Sequence, residues 1–159
     1  MRTYKLFRVK NGKLYPLYVE AGREIVLSEW LQAHVGPLAD KTHVKASGCG
    51  GKLSLRPGFH STNIPFTDWI GKKEKDGTLS QRKNTVWCEC EVRGEEQIVT
   101  SRYGLRVLPS DWYYFKTNAK QVYPWIISRE IKVIRMLSNE EVREICALFG
   151  IEAQRVENE

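Results

Sequence analysis

The feature that most constrains the fold is an Asn-Gly pair at residues 11 and 12, which stands between two short alternating segments. Asn-Gly is typical of two-residue β-hairpin turns, because both residues tolerate the positive φ that the turn requires. Residues 4–9 and 14–19 are therefore predicted to form two antiparallel strands. Pro16 lacks an amide donor, so the second strand is predicted at a sheet edge or a bulge.

Further short apolar or alternating segments predict a strand-rich domain. These segments are residues 25–27, 52–56, 85–92, 97–100, 105–108, 123–127 and 131–134. Residues 71–84 are polar and charged and predict a long exposed loop. A chain of 159 residues corresponds to about one domain, and we expect that domain to span residues 1–152.

Two helices are expected. Ser28 is a candidate N-cap and predicts a short helix over 29–34. Ser138 and Glu141 form a capping-box pattern before an apolar stripe of Val142, Ile145, Leu148 and Phe149 that ends at Gly150. The predicted class is α+β, with a strongly bent antiparallel sheet of about seven to nine strands and these two helices. The acidic tail, 153–159, is expected to fray.

The charge is unevenly distributed. Residues 1–60 contain ten Lys or Arg against four Asp or Glu, whereas residues 138–159 contain two basic and six acidic residues. A basic front half indicates an anionic partner, either nucleic acid or an acidic protein. No apolar segment is long enough for a membrane span, and the N-terminus has no apolar leader, so a cytoplasmic protein is expected.

The four cysteines do not predict a metal site. Cys88 and Cys90 form a C-x-C pair on a predicted strand, so both thiols point to the same face. Zinc sites usually use C-x2-C or wider pairs. We therefore interpret the pair as small core residues and expect no metal.

Residues 52–70 are the predicted functional centre. His60 is the best candidate for a catalytic residue, since an imidazole can act as acid or base near neutral pH. Arg56 could bind phosphate or carboxylate, and Glu89, Glu91 or Glu130 could supply the acid or base. Further binding candidates near this stretch are Ser61, Thr62, Asn63, Lys72 and Lys73. The alternative is that such polar residues only satisfy the backbone of a structured loop.

A run of four aromatic residues at 112–115 is the second unusual segment. In a strand, Trp112 and Tyr114 would share one face, where they could stack on bases. Lys116 could then neutralise a phosphate of the nucleic acid. Burial in a sheet core is the common alternative use of such residues. One buried and one exposed face would satisfy both interpretations.

The ordered segments LYPLYV, SLRPGFH, WIG, VWCECEV, YYFKTN and WIISREIKVIRMLS together resemble a domain of bacteriophage and mobile-element multi-domain, polyvalent-type proteins. The resemblance covers most of residues 5–145, and its most specific part is RPGFH at 56–60. It implies an accessory protein that acts in the cytoplasm of the bacterial host, counter-defence being one such role. No activity is implied by the resemblance itself.

Two functions follow from these observations. The first is a phage or mobile-element protein that binds an anionic partner through its basic front half and residues 56–62. The alternative is an enzyme similar to ADP-ribosyltransferases or another nucleotide-processing enzyme, with Arg56 or His60 and Glu130 at its centre. NAD would be the cofactor of that enzyme, and otherwise no cofactor is expected.

Overall fold

The computed structural model describes residues 1–18, 20–33, 43–45, 52–54, 58–98, 100–102, 105–117 and 123–157. This part of the chain contains fourteen strands and one helix. The strands are β1 Arg2–Lys10, β2 Lys13–Tyr15, β3 Trp30–Gln32, β4 His43–Lys45, β5 Lys52–Ser54, β6 Phe59–Ser61, β7 Lys72–Lys73, β8 Leu79–Ser80, β9 Thr85–Glu91, β10 Thr100–Arg102, β11 Leu105–Val107, β12 Tyr114–Lys116, β13 Ile126–Ser128 and β14 Glu130–Met136, and the helix is α1 Asn139–Leu148.

The main sheet is a curled, open antiparallel sheet with the order β2-β1-β9-β14-β3. The predicted hairpin at residues 11 and 12 is confirmed, with φ of 51° at Asn11 and 73° at Gly12. β1 and β9 pair along seven residues, which makes them the centre of the sheet. A register shift between Val133 and Arg135 interrupts the pairing of β14 with β9.

A second, three-stranded sheet has the order β12-β13-β6. It is joined to the main sheet by Tyr4 and Thr62, whose backbone groups exchange two hydrogen bonds of 2.7 and 2.8 Å. The remaining strands form three two-stranded pairs, β4-β5, β7-β8 and β10-β11. The end of β6 is therefore held against β1, so the residues after His60 have a fixed position.

Both faces of the main sheet are covered. On one face, Cys88 and Cys90 of β9 and the following Val92 pack in the largest apolar cluster, together with residues of the second sheet. On the other face, Trp87 packs with Val142 and Cys146 of the helix. The alternation predicted for β9 is confirmed, and so is the core role of the C-x-C pair, since both cysteines are buried and free of disulfides.

The prediction of a helix over 29–34 is wrong for its described part. Trp30–Gln32 is strand β3, which pairs with Glu130–Lys132 of β14. Ser28 has φ of 64° and its N–H donates to the Val133 carbonyl, so it is not an N-cap. The backbone of residues 30–32 is hydrogen-bonded to the edge of β14, which lies far along the chain. This pairing outweighs the helical spacing of three residues in the sequence.

Several strand and loop boundaries also differ from expectation. β2 ends at Tyr15, and the segment 25–27 supplies only a bridge from Ile25 to Leu14. The expected loop at 71–84 contains the β7-β8 hairpin, and Ser80 and Gln81 within it are buried. The strand expected at 97–100 begins at Thr100 and pairs with β11.

The C-terminal helix is confirmed with its capping box, in which Ser138 and Glu141 each bond the other's backbone N–H. The predicted stripe is only partly right, because Val142 is buried but Leu148 is 83% exposed. Beyond the helix, residues 153–157 do not fray. Val156 bridges Gln81, whose backbone bonds both Arg155 and Glu157.

The predicted class fits in its broad form, since the described chain is mostly strand with one short helix. The main sheet has five strands rather than about seven to nine. The other strands form smaller sheets, because loops and bridges rather than continuous ladders connect them.

Candidate functional site

His60 is the middle residue of β6, where it pairs with Ile127 of β13. Its side chain is half-buried, with the ring edge-on to Trp125 at a centroid distance of 5.7 Å. Its backbone carbonyl accepts a 2.7 Å hydrogen bond from the Lys5 amino group. Burial of Lys5 between the two sheets lowers the pKa of its amine to about 8.

Two predicted binding residues after His60 are core residues. The Ser61 hydroxyl is buried and donates to the Ile126 carbonyl at 3.3 Å. The Thr62 hydroxyl is also buried and bonds the carbonyls of Tyr4 and Ile64. Asn63 is exposed. The hydroxyls of Ser61 and Thr62 are therefore bonded to backbone carbonyls of neighbouring segments.

Glu130 begins β14, and its carboxylate has a partner on each oxygen. Arg93 donates to one oxygen and Gln32 to the other. The hydrogen bond from Arg93 is the main reason that the pKa of Glu130 is lowered. The Arg93 guanidinium also lies 4.6 Å from the centroid of the Trp30 ring. Glu130 is thus an ionised member of an ion-pair network.

His60 and Glu130 lie in different sheets and contact different residues. The ring of His60 packs on Trp125, whereas Glu130 is bonded to Gln32 and Arg93. Arg56 lies outside the described residues.

The aromatic segment is mostly core. Trp112 is 5% exposed and packs with Phe115 and Ile127, and Tyr114 is 9% exposed in the largest apolar cluster. Lys116 is exposed and forms an ion pair with Glu96 at 3.3 Å. Tyr113, which was not among the candidates, is the exposed aromatic at 44%. The expected alternation fails because the strand begins only at Tyr114.

The two predicted lysines lie on the short β7-β8 hairpin. Lys72 forms an ion pair with Glu157 at 2.6 Å, which ties the hairpin to the tail. Lys73 is exposed. Just before the hairpin, Trp69 is 66% exposed, the highest value among the described aromatic residues. The Trp69 N–H is bonded to the Thr67 hydroxyl at 3.2 Å. Trp69 was not among the predicted site residues, because sequence alone does not show which tryptophan is exposed.

Glu130 and Tyr113 line an open cleft of about 490 Å³. Arg93, Asp111 and Arg129 also line it. Of the residues that line the cleft, Trp112 and Glu130 were among the sequence candidates, and Arg93, Asp111, Tyr113 and Arg129 were not. They come from three separate turns and strands, and no sequence spacing connects them.

Comparisons with known proteins give no relative: no family model matches the chain, and no curated protein or solved structure is significantly similar to it. Within the described ranges, no group of three or more His, Cys, Asp or Glu is placed to hold a metal ion. The one helix of the described chain, ten residues long, is too short to cross a bilayer.

Proposed function

We propose that the protein binds single-stranded nucleic acid through a surface formed by Trp69, Lys73, Lys75 and Lys83, here called the Trp69–hairpin surface. The observation that carries the proposal is the 66% exposure of Trp69 beside a basic hairpin. Bases stack on exposed aromatic side chains, and each such contact is worth about 1–3 kcal/mol.

The backbone around Trp69 is anchored, which supports a pre-formed stacking surface. The preceding Phe66 and the following Ile70 both pack against the helix-side apolar cluster. The Gln154 amide donates to the Thr67 carbonyl at 2.6 Å from the tail. With both flanks held, little backbone entropy is lost when a base stacks on the indole.

The charges of the hairpin favour an anion. Lys73, Lys75 and Lys83 are exposed, and none of them forms an ion pair within the described part of the chain. The two hairpin acids are engaged, since Glu74 accepts from the Ser80 hydroxyl and Asp76 from Thr78. The lysines are therefore available to phosphates, whose neutralisation drives nucleic-acid binding.

An acidic host protein would be attracted by the same lysines. Nucleic acid is favoured because Trp69 offers a stacking face that a carboxylate-rich peptide does not need. The phage or mobile-element context, including a role in counter-defence, stays a prediction from the resemblance of residues 56–60 and the segments around them.

The alternative, an ADP-ribosyltransferase-like enzyme, has less support. His60 is half-buried against Trp125, and both oxygens of Glu130 are occupied. A test of that alternative is NAD turnover by the full chain, with His60→Ala and Glu130→Ala as variants. Turnover that disappears in both variants would favour the enzyme.

The proposal is tested by fluorescence anisotropy of a labelled oligothymidylate in low salt. We expect Trp69→Ala to weaken binding by about tenfold, as the loss of one stacked base implies. Ile98→Ala is the matched control, because Ile98 is 88% exposed and carries no aromatic face. Unchanged affinity in Trp69→Ala, or binding to polyglutamate in place of the oligonucleotide, would overturn the proposal.

A further inference from the structure

The cleft that Glu130 lines shares no residue with the Trp69–hairpin surface. Its volume of about 490 Å³ lies within the range of about 300–1,000 Å³ typical of small-ligand sites. The groups that matter here are Gly94, Asp111, Tyr113, Arg129 and Glu130, which together are called the Tyr113 cleft.

Tyr113 provides a flat wall with one face covered and one face open. A Cβ added at Gly94 would lie 2.1, 2.2 and 2.6 Å from three ring carbons of Tyr113, which places Gly94 against one face of the ring. Tyr113 as a whole residue is nevertheless 44% exposed. The opposite face is therefore available for stacking with a planar group.

The backbone of Tyr113 is fixed at both ends. Its N–H donates to the Gln97 side-chain oxygen at 2.6 Å, and its carbonyl accepts from the Arg129 N–H at 2.9 Å. The second of these bonds also fixes the backbone position of Arg129. The backbone segments that carry the aromatic wall and the cation thus have a defined relative position before any ligand binds.

The charged groups of the cleft differ in how many hydrogen-bond donors or acceptors they retain for a ligand. Both oxygens of Glu130 are used by Arg93 and Gln32, so this carboxylate acts as a fixed wall. Arg129 makes one long bond, 3.4 Å, to the Ser110 carbonyl, and no ion pair within the described residues. Its guanidinium retains donors for an anion. Asp111 is exposed and retains acceptors.

We infer that the Tyr113 cleft binds a nucleoside 5′-monophosphate group, free or at the end of a strand. The base stacks on the open face of Tyr113, and the phosphate accepts from the Arg129 guanidinium. Asp111 accepts from the hydroxyl or amino groups of the nucleoside. A cleft with a stacking face, a cation and a carboxylate matches the three chemical parts of this ligand.

The inference is tested by calorimetric titration of the full chain with AMP, adenosine and ribose 5-phosphate. We expect AMP to bind more tightly than either fragment. Tyr113→Leu should weaken AMP and adenosine alike, by about tenfold for a lost stacking contact. Arg129→Gln should weaken AMP to the level of adenosine while leaving adenosine unchanged, because only the phosphate contact is lost.

Trp69→Ala is the control and should leave AMP affinity unchanged, which separates this inference from the nucleic-acid proposal. A 5′-phosphorylated dinucleotide that competes with AMP would support the same chemistry at a strand end. The inference is overturned if AMP fails to bind at about 10 mM, the level of very weak affinity. It is also overturned if a folded Arg129→Gln binds AMP as the wild type does.

Discussion

Gly94 lies against the ring of Tyr113 so closely that a Cβ at residue 94 would fall 2.1 Å from the ring. Gly94 also has φ of 87°, a conformation that other residues adopt only with strain. The exposed ring therefore depends on the absence of a side chain at a neighbouring turn. This contact couples the turn after β9 to the turn before β12.

We therefore expect Gly94→Ala to destabilise the protein by more than its backbone strain alone would cause. Gly77 is the matched control, since its φ is 86° and a Cβ there would meet nothing within 4 Å. We expect Gly77→Ala to cost about 1 kcal/mol from strain, and Gly94→Ala to cost about 1–3 kcal/mol more from overpacking. Urea unfolding of both variants measures the difference, and equal costs would contradict the contact.

The amine of Lys5 makes the stability of the protein depend on pH in the alkaline range. Its pKa is lowered by burial from 10.5 to about 8, so the unfolded chain binds the proton more tightly between these values. The stability contributed through this group therefore rises as pH increases from about 8 to 10.5 and is lost as pH falls through the folded pKa. Lys5→Met removes the titration while keeping a long apolar side chain.

We expect the free energy of unfolding of the wild type, relative to Lys5→Met, to rise by up to about 3 kcal/mol across that range. Comparing the two proteins cancels the titration of groups that both retain, such as Tyr4 and Cys88, whose pKa values burial raises. Urea unfolding at about pH 7 to 10.5 measures this difference. A difference that does not change with pH would show that the amine is not buried.

Glu130 has a dependence of the same sign, but in the acidic range. Its pKa lies below the ordinary value of 4.5, mainly through the hydrogen bond from Arg93. Its contribution is complete above about pH 4.5 and is lost as pH falls through the lowered folded pKa. Because Arg93 is half exposed, we expect Glu130→Gln to cost only about 1 kcal/mol at neutral pH.

Acid unfolding of wild type and Glu130→Gln checks this expectation. The two stabilities should converge as pH is lowered below 4.5, the ordinary pKa. Glu95→Gln is a control, since Glu95 is exposed and has no ion pair within the described chain. A Glu130 variant that loses stability equally at all pH values would indicate a packing role and not an ionised one.

Sequence alone predicted those elements whose signals are local. The hairpin at residues 11 and 12 follows from turn chemistry, and the capping box of Ser138 and Glu141 from side-chain reach over one turn. The alternation of β9 identified both faces of the central strand because each face is covered by a different apolar cluster.

Long-range pairing decided the elements that were mispredicted. Trp30–Gln32 became a strand because β14 offers it an edge about one hundred residues later in the chain. The prediction of the site residues failed for the same reason, because it also depends on contacts between distant segments. Ser61 and Thr62 are core residues because β13 and β1 lie beside them. Trp69 and Tyr113 are exposed, and no local pattern distinguishes them from the buried Trp87 or Trp112.

The most direct test of nucleic-acid binding is the slope of log affinity against log salt concentration for a single-stranded oligonucleotide. Contacts from Lys73, Lys75 and Lys83 predict a slope of about −2, at roughly 0.7 per neutralised phosphate. The double variant Lys73→Gln, Lys75→Gln should flatten the slope to about −0.7, whereas Lys10→Gln, an exposed lysine on β1, should not change it. A flat wild-type slope, or no binding in low salt, would contradict the proposal.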